Sequence, residues 1–210
     1  MGRTSDARQR LLAAAGDLMH RRGYAAIGVA EICARAEVRK GSFYHFFPSK
    51  EALSIAAIDA YWEAQRPEWL AARDRADDPS ARLESLIHAL IEAQRAYRET
   101  TGNLGCMLVN VGIELSDREP SVRARIREIL DEQTALVADI VVEIDRDTTL
   151  VTARAVLAQL EGALLFAKLH DDPSLLDHVW AQIRRILDAA GDRAGVGTGG
   201  DFGTGRSEAG

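Results

Sequence analysis

The sequence contains few of the residues that mark secreted, metal-binding or membrane proteins. Its 210 residues include only two cysteines, Cys33 and Cys106, which have neither the paired spacing of a zinc site nor the density of a disulfide framework. The N-terminus is charged, and no apolar run approaches the ~20 residues that cross a membrane, so we expect no signal peptide and no membrane contact. These absences predict a cytoplasmic protein.

Few segments are typical of β-strands, whereas alanine, leucine, arginine and glutamate dominate and all four favour helix. The hydrophobic share of 47% and the charged share of 28% are ordinary for a globular protein. The length permits either one large domain or a small domain joined to a larger one. The composition therefore predicts an all-α protein with a sizeable core.

Charge is distributed unevenly along the chain. The net charge is −6, yet residues 1–50 contain nine Lys and Arg against four Asp and Glu, so the acidic excess lies entirely after residue 50. A basic segment followed by an acidic one suggests that only the first meets a polyanion, although a chance fluctuation in surface charge would give the same count.

The spacing of apolar residues predicts about nine helices. A first amphipathic helix ends at Gly23, and two short helices, Val29 to Ala36 and Lys40 to Phe47, follow with only a few residues between them. That brevity is typical of a helix-turn-helix. A longer helix then begins after Ser49, and Pro67 inside it is expected to kink or split it.

Later helix starts are marked by aspartate or proline. Pro79 and Pro120 each precede a long amphipathic pattern, a third pattern covers 148–170, and Asp172-Pro173 precedes the last. The final two helices are predicted to form an antiparallel hairpin. Residues 191–210 are rich in Gly, Thr, Ser and Asp and are predicted to be a disordered tail.

One continuous stretch is much more specific than these patterns. Gly23-Tyr24, Val29, Ile32 and Ala36-Glu37-Val38 are followed by Gly41-Ser42-Phe43-Tyr44-His45-Phe46-Phe47-Pro48-Ser49-Lys50-Glu51-Ala52-Leu53. This run resembles the DNA-binding signature of the TetR family of transcriptional regulators.

The resemblance implies a three-helix, helix-turn-helix DNA-binding head at residues 1–50. It also implies a larger helical body at residues 51–190 that dimerises through its last two helices and encloses a ligand cavity. The implied function is a DNA-binding transcriptional regulator, a repressor by family default, which a small hydrophobic effector releases from a palindromic double-stranded operator. No enzymatic activity, cofactor or metal is expected, although His170 and His178 flank two aspartates.

The candidate DNA-binding residues lie around the second short helix, whose N-terminal end would enter the major groove. They are Gly28, Arg39, Lys40, Gly41, Ser42, Tyr44, His45 and Lys50. We expect Lys40, Ser42 and His45 near bases and Tyr44 and Lys50 near phosphates, while Phe43 and Phe47 form the core of the head.

Three positions depart from the family pattern. Ile27 and Gly28 stand where a hydroxyl residue usually caps the second helix and contacts phosphate, which puts that contact in doubt. Glu37 occupies a turn position where the family favours glycine, and Arg39 replaces a common serine. Arg39 is expected to compensate electrostatically and to shift the operator preference.

Candidate ligand-binding residues are the large or polar side chains on otherwise apolar faces. They are Trp62, Trp69, Tyr97, Cys106, Asn110, Glu114, Glu161, Phe166 and His170. Each is individually more typical of a core residue than of a ligand contact.

Cys106 supports an alternative, a repressor that senses oxidants or electrophiles. It precedes an apolar segment near an expected helix N-terminus, where the helix dipole lowers a thiol pKa. A small buried core residue is the favoured interpretation. Two rival functions are a small helical enzyme and a protein-binding adaptor, but the scattered histidines do not form a catalytic motif.

Overall fold

The computed structural model describes residues 2–74, 78–102, 105–115, 119–144 and 149–196. Within these ranges it contains nine α-helices, one 3-10 helix and no strand. The α-helices are α1 (Gly2–Arg22), α2 (Val29–Arg35), α3 (Lys40–Phe46), α4 (Lys50–Arg73), α5 (Pro79–Thr101), α6 (Met107–Glu114), α7 (Pro120–Val141), α8 (Thr149–His170) and α9 (Val179–Val196). The all-α prediction is confirmed.

The sequence signals at the helix ends act as expected. Gly28 is the N-cap of α2 through its extended backbone alone, whereas the Ser49 hydroxyl accepts a hydrogen bond from the Ala52 amide at the start of α4. Asp78 caps α5 in the same way, with 2.7 Å between its carboxylate and the Ala81 nitrogen. Gly102 ends α5 in a left-handed conformation that suits glycine.

Two expectations about helix extent differ from the structure. Pro67 does not split α4, which continues from Lys50 to Arg73 as one helix. A second difference is at the C-terminus, where α9 extends to Val196 although the tail was expected to begin at residue 191. A glycine inside a helix costs only about 1 kcal/mol, so Gly191 does not terminate α9. The rest of the expected tail, 197–210, lies outside the described residues.

Helix α4 joins the head to the body and packs against α1, α5 and α7. The buried core is continuous along it, from Leu53 and Ile58 at the head end to Trp62 and Trp69 further on. Helix α6 is short and contacts both α1 and α7, so it also lies between head and body.

Helices α8 and α9 pack against each other, and α8 also packs against α7. α8 is long and apolar enough to cross a membrane by length and composition, but core helices pass the same test and 33% of its most apolar window is already buried. Large apolar residues of α8 remain exposed. They are Leu150, Val151, Leu165, Phe166 and Leu169.

Candidate functional site

Helix α3 presents a row of polar side chains on a buried aromatic base. Phe43 and Phe47 are buried, which confirms their assignment to the core of the head. The opposite side of α3 is exposed. The exposed positions there are Arg39, Lys40, Gly41, Ser42, Tyr44 and His45. A DNA major groove is wide enough to admit one α-helix, and exposed polar side chains such as these can bond to base edges there.

The turn before α3 contains a strained residue. Glu37 has φ of +52°, in the left-handed region where side chains other than glycine are disfavoured. Its backbone nitrogen donates to Ala34 O at 3.2 Å, and the next amide, of Val38, donates to Cys33 O. The turn therefore forms with glutamate at position 37, but at a conformational cost that a glycine would avoid.

Lys50 is less available to DNA than the sequence suggested. It is half-buried at the start of α4, its Nζ donates to the Tyr24 carbonyl at 2.7 Å, and the ammonium lies 4.0 Å from the centre of the Tyr24 ring. Desolvation lowers the pKa of Lys50, while Glu119 and Glu114 counteract that shift. Lys50 thus fixes the turn after α1.

Glu114 contacts the same turn from the body. Its carboxylate accepts a hydrogen bond from the Ala25 amide at 3.1 Å and lies directly over Gly23, where an added Cβ would come within 1.6 Å of it. Gly23 also has φ of +79°. Glu114 was predicted to line a ligand cavity, and the structure instead places it at the junction of head and body.

A pocket of about 390 Å³ lies between α1, α4, α5 and α6. Its lining is mostly apolar, and three rings meet there. The His20 imidazole stacks on Tyr97 with ring centres 4.3 Å apart, and Tyr61 meets His20 edge-on at 5.9 Å. Tyr97 was predicted from the sequence, whereas His20 and Tyr61 were not. The signal that could have indicated His20 is its position directly beside the apolar residues of α1.

Several polar groups around this pocket bond one another, although the Tyr97 hydroxyl has no hydrogen-bond partner among the described residues. His20 Nε2 donates to the Gly105 carbonyl at 2.5 Å, and the Gly105 amide donates to the Gln94 side chain at 3.0 Å. Burial is the main cause that lowers the pKa of His20. The pocket is therefore closed on one side by a neutral imidazole that belongs to the head.

A buried thiol and a half-buried carboxyl lie close to the pocket. Cys106 is the N-cap of α6, but burial and the neighbouring Glu161 raise the pKa of its thiol, so the expectation that the helix dipole lowers it is wrong. Burial raises the pKa of Glu161 to about 7, and a hydrogen bond with Cys106 opposes that rise. Burial likewise raises the pKa of Tyr61.

The other predicted ligand residues do not gather at the pocket. Trp62 and Trp69 are buried 5.6 Å apart, and the Trp62 indole donates to Glu132 at 2.8 Å, as expected for core residues. Phe166 and His170 stack on each other on the exposed side of α8. Asn110 lies near Gly105, with a buried amide nitrogen that has no hydrogen-bond partner among the described residues.

The charged groups of one surface cleft pair with one another. The cleft between α5 and the segment after α8 is lined by Arg98 and Asp171, which pair at 2.6 Å, and by Arg95, which pairs with Asp177. Within the described residues no group of three or more His, Cys, Asp or Glu side chains is arranged to hold a metal ion.

Comparison with known proteins agrees with this arrangement. Residues 11–57 match the family model described as bacterial regulatory proteins, tetR family, and residues 79–183 match the model described as tetracyclin repressor-like, C-terminal domain. The transcriptional repressor DhaR of Mycobacterium sp. (strain GP1) is 30% identical over 178 residues, which cover 81% of this chain and 86% of DhaR.

Solved structures agree on the fold. A TetR-family transcriptional regulator from Streptomyces coelicolor superposes with a TM-score of 0.79 at 21% identity, covering 89% of this chain and 97% of that one. The reduced form of Escherichia coli NemR superposes with a TM-score of 0.69 at 26% identity, covering 86% and 96%. The chain therefore belongs to the TetR family of bacterial regulatory proteins and is a DNA-binding transcriptional regulator.

Proposed function

We propose that this regulator is a homodimeric cytoplasmic repressor that binds a palindromic operator and leaves it when a small hydrophobic ligand binds the body. The observation that carries this proposal is the exposed polar row of α3 above the buried Phe43 and Phe47. A dimer with two-fold symmetry would place two such helices in successive major grooves.

Each polar residue of α3 has a defined role in this proposal. Lys40, Ser42 and His45 contact base edges, and Arg39, which forms no ion pair within the described residues, contacts guanine or phosphate. Gly41 permits close approach of the backbone. Of the remaining candidates, Gly28 and Tyr44 contact the sugar-phosphate backbone.

Among those backbone contacts, Tyr44 is 54% exposed and can donate its hydroxyl to a phosphate. Gly28 offers the amide groups at the start of α2, and α4 offers those at its own start. Lys50 supports these contacts through Tyr24, since its ammonium is held by that residue.

The exposed apolar side of α8 supports dimerisation. Leu165, Phe166 and Leu169 are between 43% and 72% exposed, which would leave a large apolar patch on a monomer. Packing α8 and α9 against the same helices of a second copy would bury that patch in a four-helix seam. Residues 1–50 then act as the head and residues 51–190 as the body.

The pocket between α1 and α4–α6 is the proposed effector site. Its volume lies within the range of small-molecule sites, and its lining is mostly apolar with a few polar groups, as such sites usually are. Of the residues predicted from the sequence, Tyr97 lines it directly, while Cys106, Glu161 and Asn110 lie close to it.

A second candidate is a sensor of oxidants or electrophiles that acts through Cys106. One observation favours it, the Glu161 carboxyl beside the thiol, because a carboxylate at that position can accept the proton that the thiol loses when it reacts. Burial acts against it by disfavouring the thiolate. If this alternative holds, mild oxidants would weaken DNA binding by the natural protein and leave the Cys106→Ser variant unaffected.

Selection of duplexes from a randomised pool tests the proposed function. The purified protein should enrich a sequence with inverted symmetry, and Lys40→Ala should alter the enriched bases. Arg127→Ala, a loss of charge at an exposed position of α7 outside the recognition helix, is the matched control and should enrich the same sequence. Enrichment of no sequence by the natural protein would refute the proposal.

A further inference from the structure

We propose that the pocket between α1 and α4–α6 binds small, planar, uncharged aromatic compounds, and that His20 makes the head itself part of that site. The proposal rests on the proposed function, in which a ligand controls DNA binding. It adds the chemical class of the ligand and a direct route from the ligand to the head.

The walls of the pocket favour a flat ring. The His20 and Tyr97 rings are nearly parallel, with an interplanar angle of 10°, and Tyr61 stands at 80° to His20. A planar ligand can stack on one such surface and meet another edge-on, which are the two preferred arrangements of aromatic pairs. Met107 adds a polarisable sulfur suited to ring contacts.

The polar groups favour a ligand without charge. Gly105 accepts from His20 and donates to Gln94, and the Gln65 amide donates to the Tyr61 carbonyl at 3.4 Å. The Asp17 carboxylate at the rim bonds both Arg21 and Arg35 at 2.7 Å. Lys168 lies beside Gly105 but does not line the pocket. A charged ligand would therefore lose its hydration without meeting an unpaired opposite charge on the pocket walls, so it would bind poorly.

His20 connects the pocket to DNA binding because it belongs to α1, the first helix of the head. Its hydrogen bond to Gly105 and its stacking on Tyr97 hold α1 against α5 and the start of α6. A ligand that enters must change these contacts, so it would favour a different placement of the head. The signal then reaches the head without passing along α4.

Gly16 offers a way to fill the pocket without disturbing its walls. It lines the pocket from α1, and nothing lies within 4 Å of an added Cβ. Gly16→Leu should occupy the cavity, and it replaces a glycine inside a helix by a better helix former. Gly16→Ala is the matched control, since it makes the same backbone change with little loss of volume.

Calorimetry with indole and 2-naphthol as probes tests ligand binding, with 2-naphthoate and 2-naphthylmethylamine as charged counterparts. We expect both uncharged probes to bind the natural protein and Gly16→Ala, and Gly16→Leu to bind at least about tenfold more weakly. The charged compounds should bind more weakly than 2-naphthol. Absence of binding by both uncharged probes, equal binding by Gly16→Leu, or stronger binding by a charged compound would overturn the proposal.

Two further readouts test the role of His20. In histidine NMR spectra, 2-naphthol should shift the His20 signals and leave those of His88, which is exposed on α5 outside the pocket, in place. The same probe should weaken binding to the selected operator about fivefold or more. Unchanged His20 signals or unchanged operator affinity would overturn the proposal that the ligand acts on the head through His20. Failure of the protein to bind DNA without any probe would instead refute the proposed function. The two proposals can therefore fail separately.

Discussion

Glu161 combines a half-buried carboxyl with a neighbouring thiol, and its ionisation is linked to folding. Its pKa is about 7 in the folded protein, against an ordinary value of 4.5, mainly because burial disfavours the charge. The folded state therefore binds more protons than the unfolded state between these values. Linkage then requires stability to be full below about pH 4.5 and to fall as pH rises towards 7.

We predict that Glu161→Gln removes this fall in stability with rising pH. Between pH 4.5 and 7.5, the unfolding free energy of the variant should rise by about 2–3 kcal/mol relative to that of the natural protein. Chemical denaturation at several pH values measures it. Glu99→Gln, at an exposed position of α5, is the control and should follow the natural protein. Parallel curves for all three would contradict the assignment.

Glu37 carries a backbone cost that a glycine would not. A non-glycine residue at positive φ, such as Glu37, destabilises the folded state by roughly 1–2 kcal/mol. Glycine removes this strain, but it loses more conformational entropy on folding, which offsets part of the gain. We predict that Glu37→Gly stabilises the protein by about 0.5–1 kcal/mol, measured by urea unfolding at fixed protein concentration. Glu37→Ala keeps the strain and should change little. A destabilised glycine variant would show that the Glu37 side chain stabilises the turn.

At the scale of elements, α6 touches the head through Glu114. The Glu114 carboxylate and Gly23 occupy adjacent space, so Gly23→Ala should displace that carboxylate and break its bond to Ala25. We predict that Gly23→Ala and Glu114→Ala each weaken operator binding about fivefold and that the double variant is no weaker than Gly23→Ala alone. Full additivity in operator titrations would show that the two residues act independently.

Helix α8 is the element whose exposed apolar side requires a partner. We predict that Leu169→Glu shifts the protein from dimer towards monomer, because it places a charge within the proposed seam, where Leu169 is 72% exposed in the single chain. Light scattering after size-exclusion chromatography measures the mass. Arg127→Glu, at an exposed position of α7, is the control and should remain dimeric. A dimeric Leu169→Glu variant would move the interface elsewhere.

The elements that the sequence predicted well are those defined by local signals. The caps at Ser49 and Asp78 depend on neighbouring atoms only, so their positions follow from the sequence. The ligand site was predicted poorly, because it depends on which helices come together. Trp62 in the core and Tyr97 at the pocket have the same helical spacing, and only packing distinguishes them.

At the scale of the whole molecule, the uneven distribution of charge follows the division of the chain into head and body. The basic head carries the exposed row of α3, and the acidic body carries most of the pocket lining and the apolar side of α8. The family signature could predict this division because it lies in one continuous stretch. The contacts that join the two parts, His20 with Gly105 and Glu114 with Ala25, connect residues more than 80 positions apart, which local patterns do not reveal.

The central claim is that the heads of the dimer recognise duplex DNA through α3. The most direct measurement is the affinity for the selected operator and for a scrambled duplex of equal length, each titrated between 50 and 200 mM salt. We predict that both affinities fall steeply, by about a thousandfold for the operator, while the operator stays preferred throughout. Equal affinity for the two duplexes, or binding that salt does not weaken, would contradict the claim.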